Sequence, residues 1–529
     1  MRVLLVYPEF PQSFWSFDQA LNLVGRKALL PPLGLVTVAA ILPQEWEFKL
    51  VDRNVREVTE EEWNWSELVI LSAMIVQQED FAAQIKEAKR RGKIVAVGGP
   101  HATSLPKLAE ATGADFLVLD EGEITLPLFV EALERGETSG IIRSEDVKPD
   151  VTTTPVPRFD LLEMDAYDNM SVQFSRGCPF QCEFCDIIVL YGRKPRTKTP
   201  EQLIAELQCL YDLGWRRSIF LVDDNFIGNK RNVRLMLNAL KEWMIEYNYP
   251  FTLNTEASVD LAQDTDFIDL MVECNFNAVF LGIETPDASS LALTQKFQNN
   301  RDPLSESVHT IMSRGLRVTA GFIIGFDGEK TGAGDRIIQF VEETSISLAM
   351  FSMLQALPNT ALSLRLAKEN RLIDDEGTGN QTKLMNFIPT RPVETIADEY
   401  VRAFWELYDP EKYLDRVYRQ FKILGEPGHK TASRKPDLVT IKAIATICWR
   451  QGVLRKTRWK FWPYLFNMMR LKPKNWQLYL TICALGEHFL EYRQLVRSQI
   501  EEQLAEYVQA ESALKQQQAK EEQADQLVA

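Results

Sequence analysis

Three of the chain's seven cysteines, Cys178, Cys182 and Cys185, fall within eight residues. No other feature restricts the fold so tightly. Thiolates spaced this closely on one loop can share a metal centre, and three of them leave one iron of an iron–sulfur cluster with an open position. An open position marks a reactive metal site rather than a structural one. The loop reads Ser175-Arg-Gly-Cys178-Pro-Phe-Gln-Cys182-Glu-Phe-Cys185-Asp. Gly177 supplies the sharp turn into it. A structural zinc site is the alternative, and it needs a fourth ligand. The next cysteine, Cys209, lies 24 residues further on in a helical pattern, and the histidines are distant in sequence.

The CxxxCxxC spacing, with Phe184 just before the last cysteine, resembles the cluster loop of radical S-adenosylmethionine enzymes. The resemblance implies a [4Fe-4S] cluster on Cys178, Cys182 and Cys185. Its open iron would chelate the amino and carboxylate groups of S-adenosylmethionine. One electron, from an external low-potential donor, would then cleave the sulfonium to a 5′-deoxyadenosyl radical.

A chain of 529 residues is expected to form two or three domains. Its net charge of −15 argues against general nucleic-acid affinity, so no nucleic-acid partner is expected. An odd number of cysteines without a secretory signal fits a reducing cytosol. No apolar run reaches the length of a membrane span.

Over residues 1–145, short apolar runs alternate with helical patterns. The runs are Val3–Tyr7, Phe48–Val51, Leu68–Ser72, Ile94–Val97 and Phe116–Leu119; helices are expected at Leu33–Leu42, Asp80–Arg91, Leu105–Ala111 and Ile124–Leu133. This is the pattern of a doubly wound, Rossmann-like parallel α/β sheet. Such sheets bind ligands at the carboxyl ends of their strands. There stand Asp52, Ser72-Ala73 and Gly98-Gly99-Pro100-His101.

These positions resemble the cobalamin-binding domain of corrinoid enzymes. Asp52-Arg53-Asn54 stands where that family has Asp-x-His, and Glu57 replaces its glycine. Ser72-Ala73-Met74 resembles Ser-x-Leu, and Gly98-Gly99 follows at the family's spacing. The resemblance implies cobalamin contacts at Asp52, Asn54, Ser72, Gly98 and Gly99. Asn54 is a poor cobalt ligand, so the usual lower axial histidine is missing. Pro31-Pro32-Leu33-Gly34-Leu35 and Glu121-Gly122-Glu123 also recur in cobalamin-binding radical enzymes. His101 either caps the Gly-Gly turn or faces the corrin or substrate. The alternative is a flavodoxin-like sheet without cofactor; no G-x-G-x-x-G follows the first strand to suggest a dinucleotide.

Pro149, Pro155 and Pro157 mark a linker at 146–166. Over 167–360, strands at Val172–Ser175, Ser218–Val222, Phe251–Asn254, Ala278–Ile283, Val318–Ile324 and Ala349–Leu354 alternate with helices. Six such units suit a partial (β/α)6, TIM-like barrel with chemistry at the strands' carboxyl ends. Polar groups gather there: Asp223-Asp224-Asn225, Glu256, Glu284 and Gly325-Phe326-Asp327-Gly328. By resemblance, Asp223, Asp224 and Asn225 contact the methionine amine, while Glu256 and Glu284 lie near the nucleoside. Each acid has a helix cap or solvated loop residue as its alternative reading. Cys209 and Cys274 read as core thiols.

Residues 361–498 read as a mostly α-helical domain and 499–529 as a polar tail. Asn386-Phe-Ile-Pro389 and Leu407-Tyr-Asp-Pro410 resemble the C-terminal domain of a subgroup of cobalamin-dependent radical methylases. That subgroup includes hopanoid C-2 methyltransferases and chlorophyll side-chain methylases. Between Leu438 and Gly486 there are nine Lys/Arg and no Asp/Glu, so the rest of the chain carries −24 (−15 minus +9). Basic sequence interleaved with Trp449, Trp459, Trp462 and Trp476 suits peripheral contact with the inner face of a membrane. It equally suits a helical pair packed on an acidic barrel.

The resemblance as a whole implies a radical S-adenosylmethionine C-methyltransferase. Methyl would pass from S-adenosylmethionine through cobalamin to an unactivated carbon of an apolar, lipid- or pigment-like substrate. Oxidative ring formation or rearrangement with the same cofactors, and a non-catalytic corrinoid or redox-sensing module, are the alternatives.

Overall fold

Val3, Leu4, Leu5 and Val6 are all fully buried, and successive side chains enter two different cores. A strand apolar on both faces has to lie between two layers of helix. In the computed structural model it does. The structure describes residues 1–145, 147–374, 379–426, 428 and 438–528. The first sheet is built from β1 (Arg2–Tyr7), β2 (Glu47–Asp52), β3 (Leu68–Ser72), β4 (Ile94–Gly98), β5 (Phe116–Val118) and β6 (Gly140–Ile142). Its order is β2-β1-β3-β4-β5-β6, all parallel. The order reverses between β1 and β3, which opens a crevice at their carboxyl ends.

Two sequence expectations change here. The sixth strand, Gly140–Ile142, is short and edge-placed, too brief to carry a periodic signal. The expected helix at Leu105–Ala111 is present as Pro106–Ala111, and a further short helix, Gly99–Ser104, precedes it. Pro106 has no N–H to continue the first, so the chain restarts there. His101 therefore sits in a helical turn rather than a loop.

The second sheet runs β7 (Asn169–Val172), β10 (Ser218–Leu221), β11 (Thr252–Ala257), β12 (Phe276–Glu284), β13 (Arg317–Ile324) and β14 (Ala349–Met353), with β8 (Ser175–Arg176) and β9 (Arg196–Thr197) forming a separate antiparallel pair. The six long strands neighbour each other in chain order, all parallel, giving an open (β/α)6 arc. The expected strand Val172–Ser175 breaks after Val172. Phe174 N and Ser175 Oγ donate to Asp223 (2.8 and 2.6 Å), which turns the chain out of the ladder and into the cysteine loop. The helix Pro200–Asp212 starts as its sequence demands: Thr199 and Gln202 form a reciprocal capping box, with Pro200 in the first turn.

The C-terminal helices are Ala361–Lys368, Val393–Leu407, Pro410–Ile423, Leu438–Trp449, Arg458–Leu471 and Trp476–Val528. They cover the β14 edge, where Tyr408 Oη donates to Ala349 O (2.7 Å) and accepts from Ala349 N (3.0 Å). One apolar cluster runs from Val3 and Leu5 through the barrel to Phe489 and Tyr492. The segment after β1 joins all three parts. Phe14 packs on Phe489, and Trp15 reaches the barrel strands, its Nε1 donating to Met350 Sδ (3.2 Å) with its ring edge-on to Phe280.

Candidate active site

Gly177 has φ +92°, and a Cβ there would meet the carbonyl oxygens of Gly192 (2.8 Å), Lys194 (3.1 Å) and Tyr191 (3.3 Å). Only glycine admits this turn, and it delivers Cys178, Cys182 and Cys185 to the carboxyl end of the barrel. All three thiols are free. Among the described residues no three ligating side chains converge on one point. A [4Fe-4S] cluster binds one thiolate per iron, so its ligands do not have to converge, and three thiols on one loop fit the group. Burial pushes all three thiols above the ordinary range. Binding iron reverses that, because the metal takes the thiolate.

The loop is clamped from three sides. From the first domain, Glu121 and Glu123 grip it: Arg176 pairs with Glu121 (3.0 Å) and Glu123 (2.8 Å), and Arg196 pairs with Glu121 (2.8 Å). From the barrel, Asp224 accepts from Gly177 N (2.7 Å), and Gln298 Nε2 lies 3.8 Å from Cys182 Sγ. From the C-terminal domain, Leu362 N donates to Glu183 O (2.8 Å) and Arg365 pairs with the Glu183 carboxylate (2.9 Å). Phe184 packs against Phe326, with Lys296 Nζ over the Phe184 ring, 5.9 Å from its centroid. Asp327 is held by Arg365 and Arg371 and so belongs to this docking rather than to a ligand.

The strand-end acids differ among themselves. Asp223 and Asp224 are spent on the loop's backbone; burial pushes them up to about 7 and about 6. Asn225 exchanges hydrogen bonds with Ser258 (3.1 and 3.2 Å). Glu284, with φ +65°, is buried and ion-paired to Lys296. The Glu256 carboxylate makes no hydrogen bond or ion pair among the described residues, and burial together with Asp224, Asp223 and Glu284 pushes it up to about 7. A cavity of 490 Å³ opens beside the loop between Phe180, Pro195, Asn225 and Ser258. Ligand pockets span about 300–1,000 Å³.

At the rim of the first sheet, the motif residues lean on each other. Asn54 Oδ1 accepts from Phe10 N (2.9 Å), and its Nδ2 donates to Pro8 O (3.2 Å) and Asp52 (2.7 Å). Its amide is fully engaged. Asp52 also accepts from Tyr167 Oη (3.0 Å), and burial raises it to about 6. A Cβ on Gly98 would meet Val118 O at 2.7 Å; one on Gly99, at φ +81°, would collide with Ser72 Oγ. His101 N donates to Ala73 O (2.9 Å), joining the Gly-Gly turn to Ser72-Ala73. The His101 imidazole is buried, its Nδ1 has no partner among the described residues, and burial lowers it to about 4. The ring stands edge-on to Phe81 (5.0 Å), and its unpartnered nitrogen beside the glycine turn fits a polar ligand group reaching this crevice. Among the described residues the first domain offers His101 and no other histidine. Glu121, Glu123, Arg176 and Arg196 were not separable in sequence from ordinary surface charges; only Glu121-Gly122-Glu123 hinted at them.

Three family models match in order: B12 binding domain over residues 21–130, Radical SAM superfamily over 172–341, and Domain of unknown function (DUF4070) over 360–502. The chain is 67% identical to an uncharacterized methyltransferase of Synechocystis over 96% of its length and 95% of that protein. It is 33% identical to hopanoid C-2 methylase of Rhodopseudomonas palustris, covering 93% of each. This chain belongs to the cobalamin-binding radical S-adenosylmethionine methyltransferases. The fold agrees: the radical S-adenosylmethionine methyltransferase TsrM from Kitasatospora setae superposes with TM-score 0.58 at 15% identity over 92% of this chain and 99% of that one. The cobalamin-dependent enzyme OxsB gives 0.59 at 14% identity, over 95% of this chain and 80% of its own. The family's cofactors are a [4Fe-4S] cluster, S-adenosylmethionine and cobalamin.

Proposed function

We propose that this methyltransferase places a methyl group on an unactivated carbon of an apolar, polycyclic, lipid-like substrate. The observation that supports this reading is the wall built by Trp15, Phe280 and Met350. Phe280 and Gly282 alternate along β12 and share one face; a bulge follows Gly282, and a Cβ there would meet Glu284 Oε1 (2.6 Å), so the carboxylate returns to the same side. A Cβ on Gly321 would meet Phe280 (2.9 Å) and Met350 (3.5 Å), so the interior narrows to apolar contacts below the acids. Aromatic and thioether surface of this kind suits a ligand without charge. The near relative named hopanoid C-2 methylase supports the same substrate class.

Bound, the cofactors supply electron transfer, hydrogen abstraction and the methyl group. Cys178, Cys182 and Cys185 hold the cluster. Arg176 and Arg196, locked to Glu121 and Glu123, set the distance between the cluster loop and the first domain, where cobalamin is held at the Ser72 and Gly98-Gly99 rim. Asn225, Glu256 and Glu284 line the rim on which S-adenosylmethionine binds. Trp15 and Phe280 exclude water from the reacting carbon.

Mass spectrometry of apolar lipids and pigments from cells with and without the gene tests the reading. A polycyclic lipid heavier by one methyl group should be present only with the gene. A missing methylated pigment instead would reassign the substrate. Purified enzyme should form both 5′-deoxyadenosine and S-adenosylhomocysteine; 5′-deoxyadenosine alone would favour ring formation or rearrangement.

A further inference from the structure

The helices Leu438–Trp449 and Arg458–Leu471 have two sides of opposite character. Their inner sides are buried through Ala443, Ile447, Phe461, Leu465 and Met468. Their outer sides expose Leu438, Ile441 and Trp449 on the first helix and Trp459, Phe466 and Met469 on the second. Spacings of three, seven, eight and eleven keep each set on one stripe. The π-helical turn between them adds exposed Val453 and Leu454. Leu438 is 84% and Trp459 78% exposed. Single exposed apolar residues are ordinary, but two successive stripes mark a contact surface.

The cations of this stretch divide in the same way. Arg455 pairs with Glu487 (2.6 Å), Lys460 with Asp415 (2.8 Å), and Lys472 with Glu426 (3.7 Å). Lys442, Arg450, Lys456 and Arg470 have no acidic partner among the described residues, and Arg458 reaches only Val453 O and the Trp459 ring. Four or five positive charges thus stand unneutralised beside exposed indoles, on a chain whose remainder is strongly acidic.

The geometry points to an anionic bilayer surface as the partner of this face. Unpaired Lys and Arg draw toward anionic headgroups, and Trp and Phe settle at headgroup depth. No helix of the described residues is long and apolar enough to cross a membrane, so contact is from one side. An acidic face of a second copy is the competing occupant. It accounts for the cations but leaves the aromatic stripes without apolar cover, so the bilayer fits more of the surface.

Flotation of the purified full chain with phosphatidylcholine vesicles, with and without phosphatidylglycerol, tests this. The protein should float only with the anionic vesicles and should dissociate as salt rises past the point where the Debye length falls below about 8 Å. Replacing the unpaired set (K442Q, R450Q, K456Q and R470Q together) should lower partitioning about a thousandfold. W449S with W459S should lower it as well, while circular dichroism stays unchanged because all six side chains lie outside the core. Wild-type protein that stays in the dense fraction at low salt overturns the proposal, as does a quadruple variant that floats equally well. A salt-sensitive dimer, lost in the quadruple variant and unaffected by vesicles, assigns the face to a second copy instead. The assay needs neither cofactor nor substrate, so its failure leaves the methyl-transfer reading standing.

Discussion

The rims of the two sheets carry the two groups of candidate site residues, and they are built in opposite ways. At the first sheet, Asp52 and Asn54 pair with each other, Tyr167, Phe10 and Pro8 take up their remaining groups, and Ser72 packs closely against Gly99. At the barrel, Asp223 and Asp224 are used to bend the loop, but among the described residues the Glu256 carboxylate is left without a partner and Glu284 has a single buried cation. The first rim therefore offers shape, and the second offers charge. A corrinoid, bound over a large surface, needs the first; a small cationic sulfonium with its amine and carboxylate needs the second. Between them stands the Arg176–Arg196–Glu121–Glu123 clamp, which belongs to neither rim and holds both.

The largest expected effect is on the charged rim. Replacing Cys178, Cys182 and Cys185 together by alanine should remove the cluster and all cleavage of S-adenosylmethionine. Iron and sulfide analysis should fall from about four of each per chain to none. A triple variant that still holds a redox-active cluster would sink the assignment of the loop.

Next comes the clamp. Arg176→Ala leaves Glu123 buried without its cation and Glu121 with one of two. Breaking a buried pair on one side costs about 3–5 kcal/mol. The thermal midpoint should drop, and the double variant R176A/E123A should lose less than the sum of the singles. Strict additivity would mean that the pair does not act as a clamp.

A smaller effect separates the two rims directly. Gly99→Ala puts a Cβ at positive φ and into Ser72 Oγ. Such strain costs about 1–3 kcal/mol, with or without cobalamin. Adding S72A should recover part of the loss in urea unfolding. If cofactor-free protein tolerates G99A and only cobalamin binding suffers, the glycines serve the ligand rather than the fold.

The smallest effect is a pH dependence at the charged rim. Glu256 is raised from 4.5 to about 7, chiefly by burial. Its folded form holds a proton that the unfolded chain releases above pH 4.5. Stability of the cofactor-free protein should therefore fall between pH 4.5 and 7 and then level off. Glu256→Gln removes that slope and should be the more stable protein above pH 7, by about 1–2 kcal/mol after allowance for solvent at a half-buried carboxyl. Parallel wild-type and variant curves across this window would show that the carboxylate is already solvated or paired.

Much of this protein is determined by its sequence alone. Cysteine spacing specifies a three-thiolate loop because ligands four and three residues apart share one short turn. Alternating apolar runs specify two parallel sheets because a strand buried on both faces must be covered by helices. The order of the three parts and the family's motifs follow from residues that are adjacent in the chain. What the tertiary structure decided depends on contacts between residues far apart. The expected strand Val172–Ser175 breaks because Asp223, 48 residues from Ser175, captures its end. Arg455 and Lys460 look like free cations beside Lys456 until Glu487 and Asp415 are brought to them by other helices. The carboxylates Glu121 and Glu123 become a clamp only when the barrel presents Arg176 and Arg196. Charge and periodicity are properties of a segment; pairing and exposure belong to the surfaces that the folded chain sets against each other.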